Sequence, residues 1–313
     1  MSKQQKIPEP DIIIDQEAGV IREVPLPKLR SKSQHERKVN SGIYAVLTVI
    51  SIVWLAPFVF LVLQSFRSYL TESGGMVDYL LPKVFSLDNY RFLFEDGKYL
   101  RWYSNTLIIA LFCSVIQTSM VLSVSYVLSR MRFKGRRLIM NVILVLGMFP
   151  GFLTMIALYF LLKQMGLTQE GAIPGLILIY CASSGMGYYI SKGFFDTIPK
   201  SLDESARIDG ASRFYVFKKI TMPLAKPIVI YTILLGFMAP WGDYVFASYV
   251  AFGKSDSYNV AVGLYQWMNT RDMMGYFTRF CAGGVLVAIP ITALFLLLQR
   301  YYVEGVTGGA VKG

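Results

Sequence analysis

Few side chains in this sequence are placed to do chemistry. The one histidine, His35, stands in a polar leading segment, with no second imidazole to share a metal and no other histidine to build a Ser/His/Asp arrangement. Cys113, Cys181 and Cys281 each fall within an apolar run. Thiols there act as small hydrophobes, so neither a disulfide nor a metal site is expected. Gly253-Lys254-Ser255 reads like the end of a phosphate loop, but the motif G-x-x-x-x-G-K-[ST] needs a glycine at position 248, which is Ser. One carboxylate, Asp243, lies in the otherwise uncharged run 227–252. General acid–base work needs paired groups and an ion relay usually needs several, so a lone carboxylate supports neither. No catalytic residue is assigned.

The most structured polar segment runs from Ile198 to Pro227 and separates two apolar stretches. Ser201 and Glu204 have capping-box spacing, S-x-x-E, which predicts a helix beginning at Leu202. Gly210 stands where that helix would end in a left-handed cap. A second helical run is expected from Ser212 to Ile220, ended by Pro223 and Pro227. Ser205, Ala206 and Ala211 are small, so a partner can approach this surface closely.

The elements that position these residues are read from hydropathy. Apolar residues make up 54% of the chain and charged residues 16%, an excess for a soluble protein. Six stretches account for it: 43–63, 107–128, 138–162, 172–191, 227–252 and 280–299. Each reaches the roughly 20 residues that span a bilayer core, and none shows the polar stripe of a soluble amphipathic helix. The expectation is an all-α integral membrane protein with six transmembrane helices. Breakers recur in them: Pro57, Pro150-Gly151, Gly185 with Gly187, Pro240 with Gly242, and Gly283-Gly284 with Pro290. They fit either close packing or kinked helices around a path.

The net charge of +11 is distributed by loop. Residues 28–42 are basic, Arg130, Arg132, Lys134, Arg136 and Arg137 follow the second span without an acid, and 198–227 is basic as well. The connections 64–104, 163–171 and 253–279 are nearly balanced. This alternation is the positive-inside pattern and places both termini in the cytoplasm. It assigns the basic charge to topology and membrane-lipid contact, and no nucleic-acid partner is expected. Residues 1–42 read as a cytoplasmic tail without a cleavable signal peptide, disordered by default, in which Ile12-Ile13-Ile14 and the run Pro25 to Lys28 could form a surface-bound or partly ordered element. Residues 43–313 read as the membrane domain, with a core of spans two to six at about 105–300, a loop at 198–227 and a C-terminal tail at 303–313. Aromatic residues in 64–104, among them Tyr90, Phe92, Trp102 and Tyr103, suit an interface belt or a small external cap.

The wording of the polar segment adds a resemblance. Glu204-Ser205-Ala206, Asp209-Gly210-Ala211 and then Ile220 with Pro223 resemble the coupling motif of ABC-importer permeases, with Ser205 where Ala is usual and Met222 where Leu is commoner. Asp88-Asn89-Tyr90, Asn105-Thr106-Leu107, the run Arg130 to Arg137, Phe194 to Pro199 and the run Gly305 to Gly313 resemble the sugar-importing branch, of maltose/maltodextrin type, over roughly residues 43–313. Residues 240–284 look like the maltodextrin permeases of Gram-positive bacteria. The resemblance implies the fold of a binding-protein-dependent ABC importer permease in a bacterial plasma membrane. It implies a second homologous permease subunit, two ATPase subunits and an extracellular sugar-binding protein that delivers a malto-oligosaccharide. ATP and Mg would be bound by the ATPase, with no cofactor in this chain. Glu204, Ser205, Ala206, Asp209, Gly210, Ala211, Ile220 and Pro223 would serve ATPase coupling, and Thr307, Gly308, Gly309 and Lys312 would belong to a tail that reaches the ATPase.

Asp243 is then expected on the translocation path with Tyr244. A carboxylate at mid-helix costs about 2.5–3.5 kcal/mol, so it should face a hydrated path or a subunit seam. Trp241 and Tyr244 have flat apolar faces and polar edges suited to a sugar ring. An ion-coupled carrier acting alone is the rival from another class, disfavoured by the shortage of intramembrane acids. A membrane glycosyltransferase would need clustered acids on one loop. A permease for another oligosaccharide is the runner-up within the preferred class.

Overall fold

The computed structural model describes residues 12–15, 20–23, 34–68, 81–149, 151–269 and 273–310. The chain divides into two units, residues 1–57 and 58–313. In the first, β1 (Ile12–Asp15) and β2 (Val20–Glu23) pair antiparallel, with Ile12 opposite Glu23 and Asp15 opposite Val20. Ile12-Ile13-Ile14, read from the sequence as a possible partly ordered element, falls in β1. Ile12-Ile13-Ile14 and Val20-Ile21 are β-branched and favour extended backbone. Helix α1 (Gln34–Ser65) starts in this unit and carries Pro57 without interruption.

The second unit is helical: α2 (Asp88–Glu95), α3 (Lys98–Arg130), α4 (Arg136–Gly147), α5 (Gly151–Gln164), α6 (Ala172–Ala182), α7 (Gly185–Thr197), α8 (Lys200–Ile208), α9 (Arg213–Tyr215), α10 (Met222–Leu224), α11 (Lys226–Gly242), α12 (Val245–Val250), α13 (Val260–Met268) and α14 (Met273–Ala310). Among the described residues four helical segments are long and apolar enough to cross a membrane: Asn40–Ser65, Lys98–Arg130, Gln169–Thr197 and Tyr276–Gln299. The number rises to six if two bent pairs each count as one span. Arg136–Gly147 turns by 101° into Gly151–Gln164, where the sequence holds Pro150, and Arg213–Leu224 turns by 83° into Lys226–Gly242. The expected fifth span, 227–252, is broken: α11 ends at Gly242 and α12 begins at Val245. The sixth runs through Pro290 and on to Ala310, so residues 303–310 of the expected tail continue α14, and 311–313 lie outside the described residues.

Helix α3 is the axis of this unit, and α6, α7, α11 and α13 all pack on it. At about 1.5 Å per residue it spans roughly 50 Å. Of the breaker glycines, Gly283 serves close packing, since a methyl group there would lie 2.6 Å from Leu264 and 3.1 Å from the Tyr99 ring. Two glycines outside that set do the same: a methyl group on Gly263 would lie 2.0 Å from the Trp102 ring, and one on Gly236 would lie 2.8 Å from Gln117 Oε1 and 3.2 Å from the Cys113 carbonyl. All three cysteines are buried. Three aromatics of the long connection pack inward: Trp102 lies 5.3 Å from Trp267, ring to ring, Tyr103 lies 5.2 Å from Trp241, and the Arg279 guanidinium sits 3.8 Å over Phe92. The residues 253–279, expected as a simple connection, include α13, whose Val260, Val262, Leu264 and Trp267 are buried.

The two ends of α3 collect the two classes of loop. At one end Asn105 Nδ2 donates to the carbonyls of Asp256 (2.8 Å) and Tyr258 (2.9 Å), and Lys254 pairs with Glu170 at 2.6 Å. At the other end Arg130 meets Asp203. The connections 163–171 and 253–279 thus meet at one end of α3, and the basic loops after Arg130 and at 198–227 meet at the other.

Candidate functional site

The polar segment 198–227 is built from its backbone outward. Helix α8 begins at Lys200, not Leu202, and Ser201 makes no capping bond. Pro199, at φ −57° and ψ 129°, occupies the N-cap. It sets the entry of the helix before Ser201 is reached, so the expected capping box does not form. The C-terminus follows the sequence reading. Gly210 has φ +85°, its N–H donates to the Arg207 carbonyl at 3.1 Å, and the Ala211 N–H donates to the Ala206 carbonyl at 2.9 Å. These two bonds form a Schellman cap, which needs a left-handed residue at Gly210.

Ser212 caps the next run by accepting from the Tyr215 N–H at 3.2 Å. The run does not stop at Ile220: α9 passes into a π-turn, Val216–Thr221, and then α10, with the bend at Ala225 between Pro223 and Pro227. Proline removes a helix donor at each side of that bend. Glu204, Ser205, Asp209, Gly210 and Pro223 are exposed, whereas Ala206, Ala211 and Ile220 are half-buried. Leu202, Ile208, Phe214 and Tyr215 add large exposed apolar side chains, Ile208 at 86% and Phe214 at 70%. Polar residues around exposed apolar ones at a helix corner suit a protein-docking surface.

This corner is fastened to the membrane helices by residues the motif does not contain. Arg130, the last residue of α3, pairs with Asp203 of α8 at 3.0 Å, with side chains only 5% and 14% exposed. Its Nη2 donates to the Ile198 carbonyl at 2.9 Å. Ser129 Oγ donates to Asp196 at 2.6 Å, tying α7 to the same point. Phe217 packs on Tyr126 of α3 at 4.7 Å between centroids, within a buried cluster that includes Leu122, Phe195, Ile198 and Ile228. The ion pair thus joins α8 to α3, and the π-turn Val216–Thr221 packs through Phe217 into the cluster shared by α3, α7 and α11. The sequence flagged Arg130 only as a loop charge and left Asp203 unassigned. Nothing local links two positions so far apart.

Asp243 is not at mid-helix. It occupies the break between α11 and α12 with φ −79° and ψ 100°. Its carboxylate accepts from the Tyr180 hydroxyl and from the Phe246 N–H at 3.1 Å, so it caps α12. Asn259 closes the break from α13, its Nδ2 donating to the carbonyls of Pro240 (3.0 Å) and Asp243 (2.7 Å). The groups freed by Pro240 and Gly242 thus find protein partners. Asp243 and Tyr244 are both half-buried, but only Tyr244 lines the neighbouring cleft of about 490 Å³, with Ser248, Tyr249, Phe252, Tyr258 and Gln266, while its ring lies 4.0 Å from that of Tyr265. Trp241 is 4% exposed within the aromatic cluster, so it is not offered to a ligand. Gly253-Lys254-Ser255 is a turn whose lysine is tied to Glu170. The backbone of Thr307, Gly308 and Gly309 is helical, and Lys312 lies outside the described residues.

Comparison with known proteins matches residues 119–307 to the family described as "Binding-protein-dependent transport system inner membrane component". The chain is 36% identical over 278 residues to the galactooligosaccharides transport system permease protein of Bacillus subtilis (strain 168), covering 86% of this chain and 94% of that one. It is 35% identical over 271 residues to the maltodextrin transport system permease protein of the same organism, covering 86% and 95%. Among solved structures, a chain of a bacterial ABC transporter involved in alginate import superposes with a TM-score of 0.74 at 23% identity, over 87% of this chain and 99% of that chain.

Proposed function

The chain belongs to the family of binding-protein-dependent transport system inner membrane components, and on that premise we propose that it carries malto-oligosaccharides across the bacterial plasma membrane. Its class is a permease subunit of an ABC importer for oligosaccharides, a transport component and not an enzyme. The segment from α8 to α10 is the coupling element. ATP binding would close two ATPase subunits on the exposed corner of Glu204, Ser205, Asp209 and Gly210, and the Arg130–Asp203 pair would carry that motion into α3. That pair is the observation that carries the mechanism. A second homologous permease completes the path, an extracellular sugar-binding protein delivers the substrate, and both termini are cytoplasmic. The C-terminal tail reaches toward the ATPase, its residues 305–310 extending α14. Tyr244 contributes to the path wall, and Asp243 holds the break that positions it.

Maltodextrin is supported by the Bacillus subtilis relative at 35% identity and by the similarly named relative of Streptococcus pneumoniae (strain ATCC BAA-255 / R6) at 34%. Galactooligosaccharide is the second reading, favoured by the relative at 36% identity. Competition decides between them. In cells expressing the complete importer, unlabelled maltotetraose should suppress uptake of labelled maltotriose, and β-galactooligosaccharides should not. Suppression by the galactooligosaccharide alone would overturn the maltodextrin assignment.

A further inference from the structure

Where α3 ends, a cavity of about 440 Å³ opens between the loop after Arg130 and the face of α8. Six cations line it: Arg130, Arg132, Arg136, Lys200, Arg207 and Arg213. Only two carboxylates do, and one of them, Asp203, is already paired with Arg130. Among the described residues none of the other five cations stands within ion-pair distance of an acid, although Arg136 acts on Asp196 at longer range.

Arg130 supplies a second, independent observation. Its side chain is 95% buried, yet Nη1 has no hydrogen-bond partner, and Nε, though 3.0 Å from Asp203, is mis-angled for a hydrogen bond; Asp203 Oδ1 beside them is likewise unpartnered. Buried donors are almost always satisfied, and a group left over points to water or an ion. Unsatisfied guanidinium donors beside four more arginines form forks that match the oxygens of a tetrahedral anion.

We propose that this cavity is a binding site for a phosphate-class anion, supplied either as a phospholipid headgroup or as free phosphate. The volume is many times the roughly 30 Å³ share of a water molecule, so a phosphate fits with its solvation. The basic loop 130–137 directly follows the candidate span Lys98–Arg130, and basic pockets beside a span end favour anionic lipid. The site stands on its own geometry and holds whichever sugar is carried. An occupant would bridge the loop after α3 to α8, adding a third fastening beside the ion pair and the Phe217–Tyr126 contact.

The test uses the full chain and a variant with Arg132→Gln, Arg136→Gln and Arg207→Gln, all on the rim and clear of the Arg130–Asp203 pair. In phosphatidylcholine nanodiscs, inorganic phosphate is titrated against chloride of equal ionic strength and thermal stability is followed. In nanodiscs containing phosphatidylglycerol, retained lipid is counted by native mass spectrometry after extraction. Saturable stabilisation by phosphate, weakened at least tenfold in the variant, identifies free phosphate as the source. Retention of phosphatidylglycerol by the wild type and not by the variant identifies the headgroup. Binding of neither, or binding equal in both proteins, overturns the site. If neither binds and addition of the ATPase alone protects these arginines from phenylglyoxal, the cavity is a protein-docking surface and the proposal fails.

Discussion

Asp203→Asn removes the charge partner of a guanidinium that cannot lose its proton. Removing one member of a buried ion pair typically costs about 3–5 kcal/mol, because the remaining charge stays desolvated. Here Asp203 keeps 14% exposure and Arg130 keeps its bond to the Ile198 carbonyl, which places the cost at the lower end. At about 3 kcal/mol the equilibrium for detaching α8 from α3 shifts roughly a hundredfold, since about 1.4 kcal/mol is a factor of ten. The π-turn beyond α8 stays on α3 through Phe217 and Tyr126, so the chain still inserts and folds. Hydrogen exchange of the amides from Glu204 to Ile208 should accelerate by up to that factor, while α3 amides near Cys113 stay protected. Sugar-stimulated ATP hydrolysis by the assembled importer should fall with it. The double variant Arg130→Met with Asp203→Leu removes both charges, and such replacements are often neutral; it should recover most of the protection. Unchanged exchange in α8 and unchanged ATPase stimulation in Asp203→Asn would refute the transmission route.

Three further outcomes follow from the geometry. Gly210→Asp forces a side chain onto φ +85°, a strain of about 1–2 kcal/mol, and should give normal membrane levels with loss of ATPase co-purification; full co-purification would remove Gly210 from the docking surface. With the native cysteines replaced, single cysteines at Lys98 and Lys254 should react with an impermeant thiol reagent in intact cells, and those at Lys134 and Ser201 should not; labelling at 134 would reverse the orientation. Asp243→Asn keeps an oxygen that can accept from Tyr180 or cap α12, so it should preserve assembly better than Asp243→Leu, which leaves the Phe246 N–H and the Tyr180 hydroxyl without their acceptor at about 1–3 kcal/mol; equal yields of the two variants would show that Asp243 is not holding the break.

What the sequence made legible was local. Gly210 reads as a left-handed cap because only its neighbours decide that conformation, and the structure agrees. Hydropathy located the apolar stretches because span length is a property of one segment. The failures share a cause. Ser201 and Glu204 have the right spacing for a capping box, but Pro199 sets the helix start two residues earlier in the chain. Asp243 looked like a charge at mid-helix because Tyr180 and Asn259, which stabilise the broken backbone around it, come from other elements. Trp241 looked available for stacking because burial against Tyr103 and Phe237 depends on tertiary packing. Helix α13 was passed over because it is short and lies between longer apolar runs, while its burial comes from Trp102 and α14. The Arg130–Asp203 pair joins two segments that each read simply as polar.

The central claim is that this chain imports oligosaccharide only when an ATPase acts on the α8 corner. The direct measurement is uptake of labelled maltotriose into proteoliposomes holding the purified importer, with the binding protein outside and ATP with Mg inside. Uptake should require both additions, resist ionophores that collapse proton and sodium gradients, and be lost in Gly210→Asp although the protein remains inserted. Uptake that proceeds without ATP, or that an ionophore abolishes, would contradict the claim and favour an ion-coupled carrier.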